Sequence, residues 1–215
     1  MAFIALSSYY WARKRLVVNS KANAWFRAAG VCGILAPLIA FTCILLAIAY
    51  SPEFSWAENA LSDLGVQQGV TAVLFNSGLI ISGLLTLVFA LGLLLFPRGK
   101  ILGKIGAFIL VLDALALTAI GVFPENVEPT HLYASVTFFV LFPISLFFIG
   151  MALLQMSQID LGLFTFLAAV VAVLVWAIPH GGGVAIPETL AALSASTWSI
   201  VLGFRLLKED SHSSN

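Results

Sequence analysis

The chain has 215 residues, of which 61% are hydrophobic and 9% charged, and its formal net charge is zero. Soluble domains carry roughly 45–50% apolar and about 25% charged residues, so this composition excludes an ordinary soluble protein. The balanced charge also excludes the basic surface that nucleic-acid-binding proteins use, and we expect no nucleic-acid partner.

Six apolar stretches are long enough to cross a bilayer, which takes about 20 residues per helix. They lack the period-2 alternation of barrel strands, so the sequence predicts an all-α, polytopic bundle of six transmembrane helices. In chain order, the predicted spans are Ala28–Tyr50, Val70–Phe96, Ile101–Phe123, Leu132–Leu154, Asp160–Pro179 and Thr189–Leu207. Residues 28–207 thus form one transmembrane domain. Residues 1–27 are predicted as a cytoplasmic or interfacial segment, and residues 208–215 as a disordered cytoplasmic tail.

Basic residues occur at only one end of the predicted spans. All ten Lys and Arg precede the first span, surround the turn between the second and third, or end the sixth. The connections at the other end contain none: 51–69, 124–131 and 180–188. The positive-inside rule therefore places both termini in the cytoplasm of a multi-pass protein of the cell membrane.

The connections without basic residues carry most of the polar groups that could form a site. They hold six of the ten acidic residues and two of the three histidines. Together with one amide on the second span, the candidate binding residues are Asn59, Ser62, Asp63, Asn76, His131, His180 and Glu188. Each also has a structural explanation, because acids and hydroxyls cap helix starts and favour the positive end of the helix dipole. Gly181–Gly183 is interpreted as a flexible outer turn.

Two features suggest more specific chemistry. Two histidines and a carboxylate are zinc-type ligands, so His131, His180 and Asp63 form a candidate site for a divalent metal. No HxxxH or HExxH spacing accompanies them. Asp113 lies in the middle of the third predicted span, where an ionisable group is costly. It is either protonated and hydrogen-bonded within the bundle or exposed to a polar cavity.

Short motifs in the same regions resemble a known family. Glu-Asn-Ala-Leu-Ser-Asp-Leu-Gly at 58–65 resembles the N-x-L-S-D-L-G signature of an uncharacterised archaeal and bacterial membrane family, domain of unknown function 998. The resemblance covers roughly residues 28–207 and continues through Phe75-Asn76, Gly121-Val122-Phe123-Pro124, His131 and Ile186-Pro187-Glu188. Thr189 stands where the family often carries Arg. The resemblance implies one shared constellation: Asn59, Ser62, Asp63, Asn76, His131 and Glu188.

Three functions fit these observations, and the sequence does not decide whether any reaction is catalysed. The first is binding or handling of a lipid or amphiphile in an outward-facing polar pocket, with membrane lipids as partners. The family is similar in layout to DRAM/Sfk-type six-helix proteins, an analogy that points to membrane lipids. The second is a membrane-embedded, metal-dependent hydrolase in which His131, His180 and Asp63 or Glu188 activate water. The third is a small transporter with Asp113 as its proton-coupling site. The oligomeric state is left open.

Overall fold

The computed structural model describes the backbone of residues 2–95, 100–179 and 182–212, and the side chains of residues 24–95, 100–179 and 182–208. Over these residues every regular element is helical, which confirms the predicted all-α class. The long helices are α1 Ala2–Ala49, α2 Val70–Leu94, α3 Ile101–Val122, α4 Thr130–Gln155, α5 Ile159–Leu174 and α6 Ala185–His212. Two short 3₁₀ helices accompany them, Leu61–Val66 and Val175–Ala177.

Six stretches of these helices are long and apolar enough to cross a membrane. They are Ala24–Ala49, Val70–Leu94, Ile101–Val122, Thr130–Gln155, Ile159–Ala177 and Ala185–Lys208. Each overlaps one predicted span, which confirms a multi-pass membrane protein. Helix α6 begins at Ala185, four residues before the predicted start at Thr189. Proline needs no amide hydrogen in a first helical turn, so the helix can begin before Pro187.

The two ends of the chain are helical further than predicted. Helix α1 begins at Ala2, so its backbone continues without a break through the segment assigned to the cytoplasm or the interface. Helix α6 continues to His212, past Lys208, where the sequence predicts the start of a tail. Where the first turns of α1 lie relative to a membrane stays a prediction.

The six helices pack in a closed ring. Each contacts its neighbours in the chain, and α6 returns to contact α1. Small residues allow this close approach. A methyl group on Gly30 of α1 would lie 2.8 Å from the carbonyl oxygen of Gly203 on α6, and one on Gly121 of α3 would lie 2.6 Å from the carbonyl oxygen of Asn76 on α2. The ring is therefore held by backbone contacts and encloses a space at its centre.

Hydroxyl groups complete the backbone hydrogen bonding of α1 inside this ring. Pro37 has no amide hydrogen, so the carbonyl of Gly33 lacks its usual helical donor. Ser199 of α6 donates to the Gly33 oxygen at 2.7 Å, and Ser82 of α2 donates to the Ala36 oxygen at 2.9 Å. Since no water is available in lipid, such donors must come from the protein itself.

Candidate functional site

The connection between α1 and α2 is an ordered part of the bundle. Its 3₁₀ helix buries Leu61 and Leu64 against the helices below. Asp63 stabilises the start of this turn, since its Oδ2 accepts hydrogen bonds from Asn59 Nδ2 at 2.7 Å and from the Ala60 amide at 3.0 Å. Asn59 Oδ1 in turn accepts from the Ser55 amide at 2.9 Å. Asn59 and Asp63 thus shape the connection through these hydrogen bonds.

Helix α6 supports this connection from below. Glu188 Oε2 accepts a hydrogen bond of 2.7 Å from the amide of Leu61. The Ala185 amide donates to the carbonyl of Asn59 at 2.9 Å. Glu188 lies in the first turn of α6, where a carboxylate also interacts favourably with the helix dipole. The predicted proximity of residues 58–65 to Glu188 is therefore present in the structure.

Gly183 adds a third backbone or side-chain contact between the α1–α2 connection and the segment around the start of α6. It is buried, and its amide donates to the carbonyl of Ala57 at 3.1 Å. A methyl group on Gly183 would lie 2.3 Å from the backbone nitrogen and oxygen of Asn59. The prediction of a flexible turn is wrong at this residue, because the chain passes too close to residues 58–59 to move freely.

Asn76 of α2 supports the 3₁₀ helix from another side. Its Nδ2 donates to the carbonyl of Gly65 at 2.9 Å, while its Oδ1 is buried without a hydrogen-bond partner among the described residues. The side chain passes so close that a methyl group on Gly65 would lie 2.6 Å from Oδ1. Asn76 therefore belongs to the constellation that the motif implies, in a supporting position.

Two acidic side chains, Glu125 and Asp63, lie close together beside the 3₁₀ helix, and we call them the acidic group. Glu125, from the connection after α3, forms side-chain hydrogen bonds with Asp63 and Ser62. Burial raises the pKa of Glu125 above its ordinary value, and the hydrogen bond and negative charge of Asp63 raise it further. His131 and the Ser62 hydroxyl act in the opposite direction. Glu125 therefore keeps its proton more readily than an isolated carboxyl group does.

His131 ties the end of α3 to the start of α4. Its side chain is buried, and its Nδ1 lies 2.8 Å from the carbonyl oxygen of Phe123. Because a carbonyl can only accept, Nδ1 carries a hydrogen in this contact. Nε2 lies 3.3 Å from the Ser135 hydroxyl, one helical turn further along α4. His131 thus contacts the end of α3 through Nδ1 and Ser135 through Nε2.

The described residues give no support to the predicted metal site. Among them, no group of three or more His, Cys, Asp or Glu side chains could hold a metal ion. His180 lies outside the described residues, so only His131 and Asp63 of the predicted set can be placed. Their atoms already have partners, since His131 Nδ1 contacts Phe123 and Asp63 Oδ2 accepts two hydrogen bonds. The zinc-like site and the hydrolase built on it stay predictions.

A central cavity of about 120 Å³ lies inside the helix ring, below the acidic group. Ser62, Ser135 and Glu188 line the end nearest to that group. The remaining wall is largely apolar, with a second polar set that comprises Ser82, Thr86, Asp113, Ser196 and Ser199. The wall also includes Trp198, whose fully buried ring packs edge-on against Phe89 and Phe142.

A larger apolar groove of about 890 Å³ runs along α4 and α5. Its wall includes Pro143, Phe147 and Phe166, and it extends to Trp176. Three residues line both the groove and the central cavity: Ser135, Phe139 and Glu188. We call these three residues the portal, because they line both spaces.

Comparison with known proteins identifies the family. A family model described as a protein of unknown function, DUF998, matches residues 34–205. The chain belongs to this family. The matched region extends from within α1 to near the end of α6 and contains every residue of the acidic group, the cavity wall and the portal. No curated protein and no solved structure matches the chain, so the similarity in layout to DRAM/Sfk-type proteins stays a prediction.

Sequence reasoning missed two residues of this site. Glu125 was noted among the acidic residues but was not included in the candidate set, although it lies six positions before His131 in a Phe-Pro-Glu-Asn turn. Ser135 was not considered. Its signal was available, because positions i and i+4 share a helix face and Ser135 follows His131 at that spacing. Glu125 lies beside Asp63 and Ser62, and Ser135 is part of the portal.

Proposed function

We propose that the protein binds or handles a membrane lipid or another amphiphile. The main support is the portal, since Ser135, Phe139 and Glu188 line both a groove on the α4–α5 surface and a cavity inside the ring. A ligand in such a site can keep its apolar chain in the groove and place its polar group among the few polar side chains of the cavity. Small-molecule sites usually have this composition, mostly apolar with a few convergent polar groups.

The portal itself has one aromatic and two polar members. The Phe139 ring packs edge-on against Trp176, with 4.8 Å between the ring centroids, so the aromatic wall continues from α4 onto the segment after α5. Ser135, one turn before Phe139 on α4, and Glu188 of α6 offer a hydroxyl and a carboxyl group. This arrangement supports the passage of one apolar chain past a polar edge. The transporter alternative rests on Asp113 alone and stays a prediction from the sequence.

The binding proposal is tested by introducing bulk at the portal. Ser135→Trp should fill the boundary between groove and cavity and reduce the amount of lipid or added amphiphile that native mass spectrometry detects on the purified protein. Thr137→Trp is the matched control, because Thr137 lies on the same helix, is exposed and lines neither space. Equal ligand occupancy in the two variants would count against the proposal.

We further propose that the acidic group faces away from the cytoplasm, on the basis of the one-sided distribution of Lys and Arg. In a background with Cys32→Ala and Cys43→Ala, a cysteine introduced at exposed Asn126 should react with a membrane-impermeant maleimide in intact cells. A cysteine at exposed Lys104, at the other end of α3, should react only after permeabilisation. The reverse pattern would show that the protein is inserted the other way.

A further inference from the structure

Two acidic residues line the cavity, and of these Asp113 lies deep in the helix ring. Its side chain is 1% exposed, and its Oδ1 accepts no hydrogen bond from any described residue. A buried carboxyl group without a partner loses its hydration and gains nothing in return. Asp113 also lies within a membrane-spanning helix, where ionisable groups usually face a partner or a cavity. The cavity is therefore where a partner for Asp113 has room.

The neighbouring hydroxyl groups cannot supply that partner. Each hydroxyl has a single hydrogen to donate. In the deeper part of the cavity wall, each of these hydrogens is given to a backbone carbonyl: Ser82 to Ala36, Thr86 to Ser82, Ser196 to Ala192 and Ser199 to Gly33, at 2.7–2.9 Å. The hydroxyl oxygens can therefore only accept from a molecule in the cavity, and the same holds for Asp113 in its ionised form. A ligand that donates several hydrogen bonds and accepts none fits this wall best.

The ionisable groups that line the site are all acidic. Asp113 and Glu188 line the cavity, and Asp63 and Glu125 lie beside its upper end. Among the described lining residues of the cavity and of the groove there is no Lys, Arg or His. A site with charge of one sign and apolar walls concentrates ligands of the opposite sign.

We propose that the ligand is a cationic amphiphile with a primary ammonium group, which pairs with Asp113 in the central cavity. The inference rests on the proposed function and names the ligand class. An ammonium group carries three donors and no acceptor, which complements a wall of carboxyl and hydroxyl oxygens. Its positive charge also compensates the buried carboxylate in surroundings of low dielectric constant, where a close charge pair with good geometry is strong. The alkyl chain passes the portal and lies in the α4–α5 groove.

The test compares three probes that share one chain length: dodecylamine, dodecanol and dodecanoate. Binding to the purified full-length protein is measured by isothermal titration and by native mass spectrometry, for the wild type and for Asp113→Asn. We expect dodecylamine to bind the wild type at least about tenfold more tightly than the other two, a difference of about 1.4 kcal/mol. Asp113→Asn should remove this preference. Asp160→Asn is the control, because it removes one negative charge from an exposed residue outside both spaces.

The outcomes separate the two proposals. Equal binding of all three probes by the wild type would overturn the cationic ligand and leave amphiphile binding intact. Binding of none of the three would overturn both. A preference for the amine that persists in Asp113→Asn, or that is lost equally in Asp160→Asn, would assign the preference to surface charge and overturn the role of Asp113. The head-group comparison on the wild type is decisive even if Asp113→Asn folds poorly.

Discussion

Gly183→Ala is expected to destabilise the protein by about 1–3 kcal/mol, the usual range for an added group in a tightly packed place. The new methyl group would lie 2.3 Å from backbone atoms of Glu58 and Asn59. Backbone atoms cannot rotate away as a flexible side chain can, so the connection between α1 and α2 must separate from the start of α6. Thermal unfolding in detergent should show a lower midpoint for this variant than for the wild type.

The neighbouring glycine provides the control for this prediction. Gly182 is exposed, and a methyl group added there would have no atom within 4 Å. Gly182→Ala should therefore unfold at the wild-type temperature, although the chemical change is identical and only one position away. If the two variants unfold at the same temperature, the tight contact between Gly183 and Asn59 is not a feature of the folded protein.

Glu188→Ala is expected to release the 3₁₀ helix from α6. The variant leaves the amide of Leu61 without its acceptor, and Leu61 is buried. A buried donor without a partner costs about 1–3 kcal/mol. Hydrogen exchange measured by mass spectrometry should show faster exchange in a peptide covering residues 60–66, with a smaller change elsewhere.

Glu188→Gln separates the hydrogen bond from the charge. The glutamine side chain keeps an oxygen that can accept from Leu61, and it removes the carboxyl group on which the charges of Glu125 and Asp63 act. We expect exchange in residues 60–66 to stay close to that of the wild type in this variant. Equally fast exchange in Glu188→Gln and Glu188→Ala would mean that the charge of Glu188, and not its acceptor, maintains this region.

The six spans were predictable because each is determined by a local property, the length of an apolar stretch. The convergence of Asn59, Asp63 and Glu188 was predicted from a motif resemblance. The contacts that produce it were not predicted, because they depend on how α6 packs beside α1 and on the close approach that Gly183 allows. A string of three glycines is compatible with a mobile turn or with a tight passage, and only the neighbouring backbone decides between them.

The central cavity and the portal could not be predicted from the sequence for a related reason. Asp113 is costly by its position in the sequence, but the cavity wall around it comes from α1, α2, α4 and α6. The hydroxyl groups that α2 and α6 contribute deep in this wall are already paired with backbone carbonyls. The portal combines Ser135 and Phe139 of α4 with Glu188 of α6, a juxtaposition that no periodicity in the sequence expresses. His180 lies outside the described residues, so its predicted role is still a prediction.

The hydrogen bond between Leu61 and Glu188 joins residues 127 positions apart. During synthesis the N-terminal parts of a chain emerge and fold first. Leu61 is therefore synthesised long before Glu188. Its amide can donate to the Glu188 carboxyl group only after α6 has been made. The acidic group and the upper wall of the cavity reach their final form only with that last helix. The proposed binding site is consequently complete only in chains that contain the whole of α6.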